Sequence, residues 1–390
     1  MRPQNKKDLV FLILILGGII AIGPLTIDIY LPAFNAIGAD FGSSEKMLQL
    51  SLTSYFLGIT FGQLLYGPIV DRFGKKLPLF LGLSLFAIAS IGCYYCTNIE
   101  QMVILRFFQA IGACSGMVIP RAIVRDIFSP QESARVSSHL ILVIGIAPIL
   151  APLIGNFLLE QFGWRAIFAF LGLFSLFCLL IARFAVPETK GANKREKISQ
   201  TFPRYWKILR DRKFTTSALS GGLMTGGLFA YVTGSPAIYL DFFELSSRYY
   251  GLIFSLNAIG FVIASQINAY LLKKYSLEPL LRKIVILPFC IGVALIFCPA
   301  NFWVMTLLFS LFLFSCGMVF PNVGASALTN QGEHSGSASA LLGTIQFGLA
   351  AITSFLVSKF SEGNVTFVAL VVGSCGIMSC CIQQVFKKRR

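Results

Sequence analysis

The chain has 390 residues, of which 56% are apolar and only 13% are charged, and its mean hydropathy is +0.76. Soluble domains carry about 25% charged residues, so this composition excludes an ordinary soluble protein and predicts an integral membrane protein. The formal net charge of +15 would suit a nucleic-acid-binding protein, but the distribution of the basic residues, described below, argues against nucleic acid as a partner.

Twelve apolar stretches are long enough to cross a bilayer, which takes roughly 20 residues per helix. They predict an all-α membrane protein with twelve transmembrane spans, at residues 9–34, 46–69, 77–97, 100–124, 136–159, 165–187, 214–240, 248–272, 281–299, 302–326, 335–358 and 364–386. A polar, basic linker at 188–213 separates two six-helix bundles, at 1–187 and 214–390. Paired bundles with a central site are a transporter architecture.

Lysine and arginine are concentrated on one side of this predicted topology. When the loops are assigned alternately to two sides, 27 of the 32 basic residues fall on the side of the termini, four on the other side, and Arg106 inside a span. The positive-inside rule then places both termini in the cytoplasm. The basic excess is therefore topological, and we expect a multi-pass protein of the cell inner membrane that contacts the lipid bilayer and no nucleic acid.

Span 1 contains an acidic residue, Asp28, and span 4 contains Arg106, whereas the other charged residues fall at span ends or in loops. A charge inside the hydrocarbon costs at least about 2.5–3.5 kcal/mol on insertion scales, so it tends to pair and to mark an ion or substrate pathway. At 1.5 Å per residue, both side chains lie about 9 Å deep from the same surface. They are predicted either to carry the transport mechanism or to form a static ion pair.

The loop after span 2 has an ordered pattern of glycine and charge, Gly67-Pro-Ile-Val-Asp71-Arg72-Phe-Gly74-Lys75-Lys76. The first glycine permits close helix approach and the second permits a tight turn. The basic residues anchor the turn at the membrane surface, and Asp71 can meet a helix N-terminus or a basic side chain. A generic turn can contain these residue types, but their full order is rarely accidental.

Spans 4 and 5 carry two further motifs, Arg106-Phe-Phe-Gln109-Ala-Ile-Gly112 and Gly145-Ile-Ala-Pro148-Ile-Leu-Ala-Pro152-Leu-Ile-Gly155. The two prolines of span 5 lie on one helix face with the glycines near it, which removes backbone donors and allows close approach. A bend or sliding contact there would favour opening to one side of the membrane. The alternative is the ordinary glycine and proline content of membrane helices.

These stretches resemble the major facilitator superfamily, whose signature after helix 2 has the form of the loop described above. The span 4 and span 5 motifs are similar to those of its drug:proton antiporters, although Ala110, Ala147 and Asn156 stand where glycine is usual. Three longer stretches are similar to the bacterial Bcr/CflA multidrug exporters, namely Asp28-Ile-Tyr-Leu-Pro32, Phe229-Ala-Tyr-Val-Thr-Gly-Ser-Pro236 and Gly336-Ser-Ala-Ser-Ala-Leu-Leu-Gly343-Thr-Ile-Gln346-Phe. The resemblance covers nearly the whole chain.

The resemblance implies roles for the charged residues. In this superfamily helices 1, 4, 7 and 10 line a central cavity, which would put Asp28 and Arg106 within reach of one another. Asp28 would alternately hold and release a proton as substrate occupies the cavity, and Arg106 would tune that exchange. Asp71 would hold the outward-open state by meeting the start of helix 11 near Gly336, or the cluster of charges at 125–126.

Candidate cavity residues offer aromatic faces and hydrogen bonds amid apolar walls, a mixture that suits a poorly selective pocket. They are Tyr30, Tyr55, Phe229, Tyr231, Tyr239, Asn257 and Gln346. With 37 Phe and 12 Tyr in the chain, most aromatic side chains must face lipid or fill helix contacts. We therefore expect about half of these candidates to touch substrate.

The function predicted from these observations is proton-coupled export of small organic molecules by a monomeric transporter that works by alternating access. A dedicated exporter of one metabolite or siderophore would share every feature, and an uptake symporter would fit the proline-rich span 5 less well. A membrane enzyme or channel fits least, because the sequence offers no nucleophile–base constellation, metal-ligand cluster or ring of charge. We expect no catalytic residue, no metal and no cofactor.

Overall fold

The computed structural model describes residues 6–128, 130–186, 201–297, 299–331, 335–361 and 364–385, which are almost entirely helical. The helices are α1 Lys6–Asp28, α2 Phe34–Phe41, α3 Glu45–Phe73, α4 Lys76–Tyr95, α5 Ile99–Ile127, α6 Pro130–Phe162, α7 Arg165–Ala185, α8 Thr201–Arg210, α9 Arg212–Pro236, α10 Ser247–Leu271, α11 Leu277–Ile284, α12 Ile286–Phe297, α13 Phe302–Leu328, α14 Ser335–Phe360 and α15 Val365–Val385. A 3-10 turn, Leu31–Ala33, joins α1 to α2, and a π-helical turn, Ala237–Phe242, extends α9.

Nine segments of the described chain are long and apolar enough to cross a membrane by length and composition alone. Two of them are pairs of consecutive helices, α1 with α2 and α11 with α12. Helices α3, α6 and α9, with 29, 33 and 25 residues, bring the membrane-length units to the twelve that the sequence predicts. Glycine, serine and threonine dilute their apolar content, and most of α9 is buried against other helices instead of facing lipid.

The helices pack in two groups. In the first group α3 and α4 pack on α5, and α1 packs on α6; in the second group α9 packs on α13, α14 and α15. The groups meet along α3 with α14 and along α6 with α10. The predicted domain linker is 188–213; residues 188–200 lie outside the described residues, and 201–213 form α8 and the start of α9.

Small residues set the closest helix contacts, as expected where lipid removes the usual hydrophobic drive for helix association. At Gly58 an added Cβ would lie 2.4 Å from the carbonyl oxygen of Phe107, so α3 and α5 touch backbone to backbone. At Gly112 it would lie 2.5 Å from the backbone nitrogen of Phe86 on α4. Both contacts fix the position of α5, the helix that carries Arg106.

Two ends of the bundle can be told apart by charge. The basic end carries the turn between α3 and α4 and helix α8, and the opposite end carries the start of α3 and the π-helical turn. At the basic end Gly74 has a φ of 79°, a left-handed conformation that glycine adopts without strain, and its N–H donates to the carbonyl of Val70. This glycine ends α3 and turns the chain back into α4.

Candidate functional site

A cavity of about 320 Å³ lies between the two groups of helices. Its walls come from α1, α6, α9, α10 and α13, and its lining residues are Pro24, Ile27, Asp28, Ile146, Pro148, Ile149, Leu228, Phe229, Tyr231, Val232, Phe254, Asn257, Ala258, Phe261, Val262, Ser265, Gln266 and Leu313. Among these described lining residues Asp28 is the only acid, and no base is present. The cavity therefore presents one ionisable carboxyl to an otherwise apolar and weakly polar wall.

Asp28 is the last residue of α1, and the residue is only 6% exposed. The 3-10 turn Leu31–Ala33 follows, with Tyr30 at its N-cap. Pro32 lies in the first positions of this turn, where its missing N–H costs nothing. The final carbonyl groups of α1 therefore lack partners within their own helix. This arrangement leaves backbone acceptors beside Asp28 for a neighbouring donor.

Arg106 supplies that donor. Its guanidinium is fully buried, and both Nη atoms donate to the carbonyl oxygen of Thr26 at 3.3 Å. Nη1 also donates to Oε1 of Gln109 at 2.8 Å, and the Gln109 amide donates in turn to Ser90 on α4. A cation at a helix C-terminus is favourable because of the helix dipole. Arg106 thus fastens the end of α1 to α5.

Two tyrosine rings enclose the same guanidinium. The Arg106 Cζ atom lies 4.7 Å from the ring centre of Tyr30 and 4.4 Å from that of Tyr55, within the range of cation–π contacts. The Tyr30 hydroxyl is hydrogen-bonded to Ser51, and the Tyr55 hydroxyl donates to the Gly23 carbonyl. The two tyrosines predicted to touch substrate therefore belong to the surroundings of Arg106, and neither lines the cavity.

Among the described residues no ion pair joins Asp28 to Arg106. The resemblance implied that the two charges lie within reach of one another and left direct pairing open; the structure connects them through the backbone. Arg106 holds the Thr26 carbonyl, two residues before Asp28, while the Asp28 side chain lines the cavity. Sequence reasoning did not include Thr26, because the contact uses its backbone oxygen and leaves no side-chain signal.

The second group of helices contributes a small polar spot to the cavity. Asn257 Nδ2 donates to the Tyr231 hydroxyl at 2.9 Å, and Ser310 Oγ donates to Asn257 Oδ1 at 2.6 Å, which fixes the orientation of the amide. Of the candidate substrate-binding residues, Tyr231, Asn257 and Phe229 line the cavity. Tyr239 lies instead in an aromatic cluster with Tyr231 and other rings, and Gln346 is on α14 outside the lining. Ser310 is a residue that sequence reasoning missed.

Helix α6 forms the wall beside Asp28. Pro148 lines the cavity and Pro152 packs against Gly251 of α10. At Gly155 an added Cβ would lie 1.9 Å from the carbonyl oxygen of Ile29, so α6 touches the backbone next to Asp28. The surroundings of Gly145 lie outside the described residues.

The predicted motif after span 2 is described only in part. The side chain of Asp71 is not described, so its proposed contact with the start of α14 stays a prediction. Gly67 faces α14 and α8, where an added Cβ would lie 3.8 Å from Ala340. Arg72 is exposed and stacks over the Phe73 ring, whereas Lys75 is buried.

Three contacts hold the two groups together in the half of the bundle nearer the opposite end. Ser354 of α14 is hydrogen-bonded at 2.8 Å to both Thr53 of α3 and Thr233 of α9. The rings of Phe56 and Phe229 lie 4.4 Å apart between α3 and α9. Asn35 Nδ2 donates to Oδ1 of Asp241 at 2.9 Å. In the described structure, the cavity is thus separated from the opposite end by direct contacts between the groups.

In the described part of the chain, twelve membrane-length helical units, two packed groups and a cavity between them define a polytopic membrane transporter. Comparisons with known protein families and structures agree with this class of protein. Residues 14–382 match the family model of the Major Facilitator Superfamily, so the chain belongs to that superfamily. The resemblance drawn from the sequence motifs is confirmed, and so is the twelve-helix all-α fold class.

Similar proteins include an uncharacterized MFS-type transporter, YdgK, of Bacillus subtilis, which is 33% identical with 96% of each chain covered. A bicyclomycin resistance protein homolog of Haemophilus influenzae is 29% identical, again over 96% of each chain. The multidrug transporter MdfA of Yersinia pestis is 28% identical over 82% of this chain and 79% of its own. The fold is similar to a solved D-xylose-proton symporter, with a TM-score of 0.73, 18% identity and 98% of each chain covered.

Proposed function

We propose that this transporter exports small organic molecules in exchange for protons, by alternating access of the central cavity. The observation that carries the proposal is Asp28, an almost fully buried carboxyl that faces the cavity between the two groups of helices. An ionisable residue within the membrane that lines a cavity marks an ion or substrate pathway. The names of the bicyclomycin resistance homolog and of MdfA support export of antibacterial compounds over uptake.

In this proposal Arg106 is a positioning residue that fixes the backbone of α1 next to Asp28. The Asp28 carboxyl is left to exchange a proton or to meet a substrate. The mostly apolar wall, with its few neutral polar groups at Asn257, Ser265 and Gln266, favours many small lipophilic molecules over one dedicated metabolite. The chain is further proposed to act as a monomer in the cell inner membrane, with both termini in the cytoplasm, as the asymmetry of its basic residues suggests.

The test replaces Asp28 by Asn, which keeps the shape and removes the titratable group. In a pump-deficient host we expect Asp28→Asn to insert normally and to lose dye efflux driven by a pH gradient. Asp40→Asn is the matched control, since Asp40 is exposed at the opposite end and pairs with Arg165 at 2.6 Å. Undiminished efflux by Asp28→Asn, or equal loss in both variants, would contradict the proposal.

A further inference from the structure

Helix α8 is short, but its two faces differ in chemistry. Its sequence, Thr-Phe-Pro-Arg-Tyr-Trp-Lys-Ile-Leu-Arg, has three bases and no acid. Tyr205 and Ile208 point inward and are buried. Trp206, Lys207 and Arg210 point outward; the indole-bearing residue is 61% exposed, and both bases are exposed. One face is therefore packed against protein, and the other presents an aromatic ring and two positive charges.

The inner face of α8 lies on the joint between the two groups of helices. Tyr205 and Ile208 belong to an apolar cluster with residues of α9, α13 and α14, and Leu64 of α3 packs against that cluster. Also on α3, a Cβ added at Gly67 would lie 3.7 Å from the Tyr205 hydroxyl oxygen. Helix α8 thus contacts both groups at the basic end. Whatever fixes the position of α8 therefore also acts on this joint.

Hydrogen bonds fix the angle between α8 and α9. Asp211, the residue between the two helices, accepts from the Lys213 backbone N–H at 2.9 Å and from the Gln331 amide at 2.7 Å. Thr215 Oγ1 donates to the Leu209 carbonyl at 2.6 Å, which satisfies one of the unpaired acceptors at the end of α8. Because α9 is one of the membrane-length helices, α8 lies where the chain enters the membrane, at the depth of the lipid headgroups.

The outer face of α8 has the chemistry that recognises an anionic lipid headgroup. The Arg210 Cζ atom lies 5.7 Å from the centre of the Trp206 ring, so the guanidinium and the indole form one patch. In the described part of the chain neither Lys207 nor Arg210 forms an ion pair. Tryptophan prefers the membrane–water interface, and basic side chains there are attracted to anionic lipid. A lipid phosphate fits this patch better than a protein partner does, because the patch lies at headgroup depth.

We propose that Trp206, Lys207 and Arg210 bind the headgroup of an anionic phospholipid, and that this lipid holds α8 against the joint between the two groups of helices. The two basic side chains attract the phosphate diester, and the indole ring anchors the helix at the interface. The site lies outside the central cavity and depends neither on Asp28 nor on the direction of transport. It therefore goes beyond the proposed export function and can be tested without it.

The binding test measures quenching of tryptophan fluorescence in vesicles that contain the full-length protein. The vesicles are equal mixtures of phosphatidylglycerol and phosphatidylcholine, and bromine atoms near the headgroup end of the acyl chains are carried by one lipid or by the other. The signal of Trp206 is the difference between the wild type and Trp206→Phe. We expect brominated phosphatidylglycerol to quench this signal about two- to fivefold more strongly than brominated phosphatidylcholine. Equal quenching by the two lipids would show ordinary boundary lipid only and would overturn the site.

Variants assign the lipid preference to the basic residues of α8. The double variant Lys207→Gln with Arg210→Gln removes both charges and keeps the indole and the buried face, so it should be quenched equally by the two lipids. Lys359→Gln is the matched control, because Lys359 is also an exposed base over aromatic rings, those of Phe355 and Phe360, but on α14 at the opposite end. The control should keep the preference of the wild type. A preference that the double variant retains, or that the control loses equally, would refute the assignment.

Amide hydrogen–deuterium exchange tests whether the bound lipid also holds the joint. In nanodiscs, peptides that cover 62–68 and 338–343 should exchange about two- to fivefold more slowly with phosphatidylglycerol than with phosphatidylcholine alone, because a ligand protects the state that binds it. The double variant should show no such difference, and equal exchange of the wild type in the two lipids would overturn the holding role. Asp28→Asn should keep both lipid effects even when efflux is lost, so failure of the export proposal and failure of the lipid site give different results.

Discussion

Gly155→Ala is the sharpest test of the packing around Asp28. An ideal Cβ at position 155 would lie 1.9 Å from the Ile29 carbonyl oxygen and 2.9 Å from its carbonyl carbon, whereas ordinary contacts begin near 3.4 Å. The obstacle is backbone, so no side-chain rotation relieves it, and α6 must move away from the end of α1 by about 1.5 Å. Overpacking of this kind costs about 1–3 kcal/mol, and here the shift falls on the residue next to Asp28.

We expect Gly155→Ala to lower the unfolding temperature of the purified protein by several degrees and to reduce efflux. Both are measured against Gly260→Ala, a matched change on the cavity-lining helix α10 where an added Cβ meets nothing within 4 Å. The control should be as stable as the wild type or slightly more so, because alanine favours the helix by up to about 1 kcal/mol. Equal melting temperatures and equal efflux for the two variants would refute the close contact of α6 with α1.

Two further predictions concern polar contacts. Arg106→Lys should destabilise the protein by about 2–4 kcal/mol, because an ammonium cannot span Thr26 and Gln109 while it stacks between two rings, and thermal unfolding of the purified variant measures this loss. Unchanged stability would argue against the stacking of the Arg106 guanidinium between the rings of Tyr30 and Tyr55. Ser354→Ala should cost only about 1 kcal/mol but loosen the opposite end, because it removes both of its 2.8 Å bonds between helices. Faster amide exchange in 50–56, with no change at the basic end, is the expected result, and uniform exchange across both ends would contradict it.

Much of the fold could be predicted from the sequence. Charged side chains and backbone groups without hydrogen bonds are costly in lipid, so few folds can span a membrane. The apolar stretches predicted the twelve helices, and Asp28 and Arg106 stood out as charges within them. The motifs after span 2 and in spans 4 and 5 indicated the superfamily. Gly74 was identified as a turn because its neighbours are charged and the spans on both sides are apolar.

The partners of the buried charges were decided by tertiary structure. Membrane helices are apolar on every side, so periodicity does not tell which face of span 1 or span 4 meets protein. The sequence therefore left open whether Asp28 and Arg106 pair directly, and the structure shows the guanidinium at the Thr26 carbonyl and two tyrosine rings. The same ambiguity explains why Tyr30 and Tyr55 were expected in the cavity.

The sequence by itself determined the membrane class, the number of spans, and the one acid and one base that lie deep within them, because the cost of placing a side chain in lipid differs strongly between residue types. Only the tertiary structure decided that Asp28 lines the cavity while Arg106 is withdrawn from it. It also decided that Asn35 and Asp241, 206 positions apart in the chain, are joined by a hydrogen bond of 2.9 Å. Such contacts depend on how helices from two separate groups pack, and no local pattern in the chain encodes that packing.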